Sequence, residues 1–125
     1  MPIAYWCILI AALLPIALVS FAKAGASGDN RHPRENLEGL PAAKRRAYAA
    51  HENAYENFPF FAAAVISAAM LGAPIGTINI LAVLYIAIRV AHGLLYIADK
   101  SSPRSMAYTA GLLVNIAIFV LPALK

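Results

Sequence analysis

Three long stretches of this chain contain no Asp, Glu, Lys or Arg: Met1–Ala22, Asn57–Ile88 and Ser105–Leu124. Few folds tolerate that. About 20 mainly apolar residues in a helix rising about 1.5 Å per residue cross a hydrocarbon layer about 30 Å thick. The first and last stretches each fit one crossing. The middle one is interrupted at Leu71-Gly72-Ala73-Pro74-Ile75-Gly76, a Gly/Pro cluster of the kind that makes turns. Splitting it there gives two more helices. The sequence therefore predicts an all-α membrane protein, a single bundle of four transmembrane helices at about 3–22, 47–71, 75–98 and 105–124, with a loop at 23–46.

Composition agrees. Of 125 residues, 62% are hydrophobic and 13% charged, and the mean hydropathy is +0.69. Soluble domains carry about 25% charge, and a small water-soluble globule needs a polar shell over most of its surface. An ordinary soluble domain, a disordered chain and a disulfide-stapled domain are all excluded. Cys7 is the one cysteine, so no intrachain disulfide forms, and a small buried hydrophobe is the expected role. A cleaved leader at Ala22-Lys23-Ala24 is disfavoured, because no cation precedes an apolar run longer than a usual signal core.

The cations that remain fix an orientation. Lys23, Arg31, Arg34, Lys44, Arg45 and Arg46 lie between helices 1 and 2, and Lys100 and Arg104 between helices 3 and 4. An even topology puts both groups on one side. The opposite side holds Lys125 alone. The positive-inside bias makes loops 23–46 and 99–104 cytoplasmic and both termini external. Tyr5 and Trp6 then form an aromatic anchor at the outer interface. The net charge of +4 is a topology signal; no basic groove with interleaved aromatics implies nucleic acid. Gly25–Arg34 reads as a loop, with Asp29 and Asn30 as turn formers.

Polar groups inside apolar helices are expensive and tend to mark function. In helix 2, Arg46, Asn53 and Glu56 fall on one face. In helix 3, Arg89, His92 and Tyr96 do the same at i, i+3 and i+7. Pro103-Arg104-Ser105 and Tyr108 open helix 4. Glu56 lies ten residues beyond Arg46 and Arg89 ten before Asp99, so both stand about 15 Å from the cytoplasmic end. Their equal depth predicts a Glu56–Arg89 ion pair, within one chain or across a subunit boundary. Asn79 and Asn115 are expected to serve packing; Phe58, Phe60 and Phe61 are expected to serve packing or lipid contact, with a wall beside a lipid-side entry as the alternative. The cluster of guanidinium, amide and phenol groups in one half of the bundle suits a small anionic peptide. His51 and His92 are too isolated to imply a metal site.

The strings Arg-x6-Asn-x2-Glu-x2-Pro in helix 2 and Arg-Val-Ala-His-x3-Tyr followed by Pro-Arg-Ser-x2-Tyr resemble the MAPEG family, the membrane-associated proteins of eicosanoid and glutathione metabolism. The second string is most similar to its prostaglandin-forming branch; Asp-Asn-x2-Pro-Arg in the loop is closer to its small bacterial branch. The resemblance implies a homotrimer binding glutathione as co-substrate between subunits, near the cytoplasmic side. By position it assigns Asn53 and Glu56 to glutathione binding, with Glu56 on the ammonium group. It places Arg89, His92 and Tyr96 along the same pocket and Arg104 on the thiolate, with Ser105 and Tyr108 beside it. Arg46 matches an arginine found in some members. Glu52 and Ala49 stand where better-known members carry Arg, and the helix 3–4 loop is one residue shorter than in the prostaglandin-forming branch.

The chemistry implied is thiolate attack. A thiol near pKa 8.5 is mostly protonated at neutral pH, and an adjacent guanidinium favours the thiolate. Its target would be a lipophilic electrophile or hydroperoxide dissolved among the membrane lipids. Two other readings compete. A non-catalytic membrane binding or scaffold protein of the same fold would keep the bundle and lose the activity. A small multidrug transporter expects a carboxylate in helix 1, and Met1–Ala22 has none.

Overall fold

A computed structural model describes residues 1–23 and 41–124. The expectations for the 24–40 segment, including Arg31, Arg34, Asp29 and Asn30, and for Lys125 fall outside the described residues. Four helices follow one another: α1 (Ile3–Lys23), α2 (Ala42–Met70), α3 (Ile75–Ile97) and α4 (Ser101–Val120), with a 3₁₀ turn at Leu121–Leu124.

The ends of the helices follow local chemistry. Between α2 and α3 the chain turns at Gly72, whose φ of 81° is a left-handed conformation that favours glycine. Pro74 stands immediately before α3, where its missing N–H costs nothing. Pro103 is accepted in the first turn of α4 for the same reason, so α4 opens at Ser101 instead of the expected 105. Likewise α2 opens at Ala42, right after Pro41, instead of 47. Charged Lys44, Arg45 and Arg46 end the apolar pattern there, but they are good helix formers and continue the helix.

Three helical segments are long and apolar enough to cross a membrane: Ile3–Lys23, Ile75–Ile97 and Ser101–Leu124. The expectation of four such spans is met by three. At 29 residues α2 is the longest helix, about 44 Å at 1.5 Å per residue. It falls short on composition, because its first half carries Lys44, Arg45, Arg46, Glu52 and Glu56.

The core is built from small residues on facing helices. Ala4, Cys7 and Ala11 of α1, Ala64, Val65 and Ala68 of α2, Ala82 of α3 and Ile118 of α4 are buried together. Small side chains let membrane helices approach closely where no hydrophobic effect drives them together. At the centre, Phe61 and Tyr85 stack at 4.1 Å between centroids and 11° between planes. Phe61 is thus a packing residue. Asn79 also serves packing: its Oδ1 accepts the Ala4 backbone N–H at 2.9 Å, satisfying a free donor at the start of α1.

Two bonds show how the helix ends are gathered. Lys44 Nζ donates to the Phe21 carbonyl at 2.8 Å and lies 3.7 Å from the Phe21 ring centroid. Arg46 Nε donates to the Ile97 carbonyl at 3.0 Å. The C-terminal ends of α1 and α3 therefore meet the N-terminal end of α2. Lys23, Lys44, Arg45, Arg46, Lys100 and Arg104 all lie at this one end of the bundle, complementing the negative ends of α1 and α3. A third bond ties α1 to α2 deeper in: His51 Nδ1 lies 2.7 Å from the carbonyl oxygen of Pro15.

Candidate functional site

At the same end, α2, α3 and α4 enclose a cleft of about 270 Å³ lined by Asn53, His92, Tyr96, Arg104, Ser105, Tyr108 and Thr109. Each helix contributes one stripe. On α3, His92 and Tyr96 are one turn apart, and their rings meet edge to face at 5.8 Å. On α4, Arg104, Ser105, Tyr108 and Thr109 lie within the first three turns, with the Tyr108 ring 6.3 Å from His92. The Arg104 guanidinium carbon sits 4.4 Å from the Tyr96 ring centroid. This cation–π contact holds the head of Arg104 over the cleft without using its N–H donors.

His92 is 2% exposed and its Nδ1 has no hydrogen-bond partner.

The remaining three of the nine expected site residues stand elsewhere. Arg46 is engaged with the end of α3 through Ile97. Glu56 is exposed and lines a second hollow of about 420 Å³ on the outer side of α2, with Tyr48, His51, Glu52 and Tyr55. Arg89 is 4% exposed and lies beneath the cleft, where one of its terminal nitrogens donates to Asn53 Oδ1 at 2.7 Å.

The expected Glu56–Arg89 ion pair is therefore not made. Three residues turn a helix through 300°, so Glu56 points about 60° away from Asn53 around α2. Asn53 faces α3 and takes the guanidinium, while Glu56 faces outward. Within the chain, the Arg89 guanidinium is enclosed and engaged with Asn53. Equal depth was the wrong criterion; direction around the helix decides.

Sequence patterning does not single out two residues that the structure adds. Thr109 lines the cleft, and its Oγ1 donates to the Ser105 carbonyl at 3.1 Å. Asn57 donates from Nδ2 to the Asn53 carbonyl at 2.8 Å and to Asn53 Oδ1 at 3.3 Å. Each lies four residues beyond a residue the patterning does select, so the i, i+4 rule carries the signal. Among the described residues, no three His, Cys, Asp or Glu side chains are gathered in a way that would hold a metal ion.

An all-helical bundle with membrane-length apolar helices gathers a guanidinium, phenols, an amide and an imidazole in one cleft at its charged end. The MAPEG family model matches residues 3–124, nearly the whole chain, and the protein belongs to the MAPEG family. No curated protein and no solved structure matches it significantly.

Proposed function

We propose that the protein is a membrane-bound, glutathione-dependent transferase or peroxidase. The observation that carries this reading is the cleft itself. Arg104, Ser105 and Tyr108 of α4 meet His92 and Tyr96 of α3 and Asn53 of α2 in one polar recess at the end of apolar helices. Pure helix packing has no use for an arginine held over an open recess. A MAPEG member with this donor set suits a tripeptide thiol as co-substrate.

In this reading Arg104 faces the sulfur and favours its deprotonated form by direct attraction. With an electrophile bearing a leaving group, the thiolate forms a carbon–sulfur bond as the carbon–halogen bond breaks and halide departs. With a lipid hydroperoxide, the thiolate attacks the O–O bond, takes one oxygen as a sulfenic acid, and the other leaves as the alcohol after protonation. A second glutathione reduces the sulfenic acid to the disulfide and water. Ser105 and Tyr108 supply O–H donors beside the sulfur, and the open side of α4 along Met106, Ala110 and Leu113 admits the lipophilic partner.

The cleft is smaller than the roughly 300 Å³ at which pockets for drug-sized ligands begin. A tripeptide would extend beyond it. That supports assembly as a homotrimer, with glutathione lying between subunits and Glu56 of one copy reaching the ammonium group of a peptide held by its neighbour. The charged end, with loops 23–46 and 99–104, is taken as cytoplasmic and both termini as external, in a bacterial inner membrane.

Calorimetry with glutathione and a conjugation assay with a chlorinated nitrobenzene test the proposal on purified protein. Binding with turnover supports it. Binding without turnover on any electrophile or hydroperoxide would instead favour a non-catalytic binding protein. No binding at millimolar glutathione would sink both.

A further inference from the structure

We propose that Arg89 is a positioning residue that acts through Asn53: it fixes the Asn53 amide so that the cleft presents a hydrogen-bond donor from α2, and the ligand must place an acceptor oxygen opposite it. This rests on reading the cleft as a thiol-peptide site.

The argument begins with what an arginine is able to do. A guanidinium has five N–H donors and no acceptor. The atom of Asn53 that faces Arg89 at 2.7 Å must therefore be the oxygen. Asn57 approaches the same oxygen with its own amide nitrogen at 3.3 Å. Two donors thus claim Oδ1, and an amide that rotated by 180° would set N–H against N–H on both. The rotation is blocked on two sides. Asn53 Nδ2, with its two hydrogens, is the other arm of the amide, and no described residue accepts a bond from it. Asn53 also lines the cleft.

Arg89 itself is too enclosed to touch a ligand, at 4% exposed. Its stem runs beside Gly111 of α4, where an added Cβ would stand 3.8 Å from Arg89 Cδ and 3.8 Å from the Tyr85 ring. The pieces form one line from the core to the cleft: the stem delivers the guanidinium, and the guanidinium sets the amide. A buried arginine is costly in a membrane, and orienting a ligand-facing amide is a reason to keep one. The polarity follows. Facing Asn53 Nδ2 and the Arg104 guanidinium, a carbonyl or carboxylate oxygen is accepted and an ammonium group is refused.

Four variants test this: Asn53→Asp, Asn53→Ala, Arg89→Met and the Asn53→Ala/Arg89→Met double. Asn53→Asp gives Arg89 a carboxylate partner while removing the donor. Its melting temperature should rise as glutathione binding, read by calorimetry, falls about tenfold, the loss of one hydrogen bond. A merely structural Asn53 would move both in the same direction, and unchanged affinity would overturn the inference. Arg89→Met should weaken glutathione binding about tenfold in the native background and less than twofold on Asn53→Ala. Equal effects in both backgrounds would make Arg89 a direct contact and overturn it. Should Arg89→Met fail to fold, Arg89→Lys, which still donates, should retain affinity within threefold, and a larger loss counts against the proposal.

A readout without ligand separates this inference from the glutathione reading. In ligand-free protein the Asn53 side-chain amide resonance, assigned by its absence in Asn53→Asp, should shift between the native protein and Arg89→Met. If the native protein binds no glutathione and that shift is seen, the glutathione reading fails and the positioning stands. If the resonance does not move, the positioning itself is wrong.

Discussion

At the scale of single residues, Arg104 and Glu56 are set apart by where their side chains stand. Arg104 is held over Tyr96 inside the cleft, with no described partner that folding depends on. Arg104→Ala should therefore leave the melting temperature within about 2 °C while abolishing the ultraviolet thiolate band of bound glutathione. An unchanged band would move the activating role to another group. Glu56 is exposed in the single chain, so Glu56→Ala should also fold normally, and a lost bundle would show that its role is structural. His51 is the contrasting case. Its ring nitrogen meets the Pro15 carbonyl, in the α1 segment where proline has already removed one backbone donor. His51→Ala should cost about 1 kcal/mol of stability, read as a lower melting temperature with glutathione binding retained.

At the scale of the helices, the glycines and aromatics of α2, α3 and α4 set the spacing that makes the cleft. A Cβ on Gly111 would meet Ile88, Arg89 and Tyr85 at 3.5–3.8 Å, ordinary contact distances. Gly111→Ala should be accepted and raise stability by about 0.5–1 kcal/mol, the usual gain from replacing a helical glycine; Gly111→Leu should push α3 and α4 apart and lower the melting temperature. Phe61→Ala removes a fully buried ring stacked on Tyr85 and should cost about 3–5 kcal/mol. Thermal unfolding in detergent measures all three.

The elements were largely legible. Charge-free runs of membrane length locate the helices, and Gly72 with Pro74 locates the turn. The starts of α2 and α4 were not, because the apolar pattern stops where the charges begin and a helix need not.

At the scale of the whole molecule, the cleft is open, and Glu56 stands outside it, exposed about 60° around α2 from Asn53. The MAPEG reading makes these two halves of different sites, completed by neighbouring copies. Light scattering of the detergent-solubilised protein should give three chains. Mixing tests the sharing directly: Arg104→Ala and Glu56→Ala, each inactive alone, should on random co-assembly regain about a quarter of native activity, since one subunit boundary in four joins an intact Arg104 to an intact Glu56. No recovery would place both residues in one chain's site.

The scarcity of charge by itself determined the surroundings of this chain, its helical class, the number of its helices and the end at which its cations gather. Backbone groups in lipid have no partners but one another, so an apolar run of that length has one viable conformation. Residue spacing further determined which side chains share a face of their own helix. It left open what lies across from that face. Opposing contacts depend on how each helix is rotated and inclined against its neighbours, and that is set by the fit of Ala, Gly, Phe61 and Tyr85 in the core. Tertiary structure alone therefore decided that Arg89 meets Asn53 and not Glu56, and that Arg46 ties down α3 while Arg104 faces the cleft.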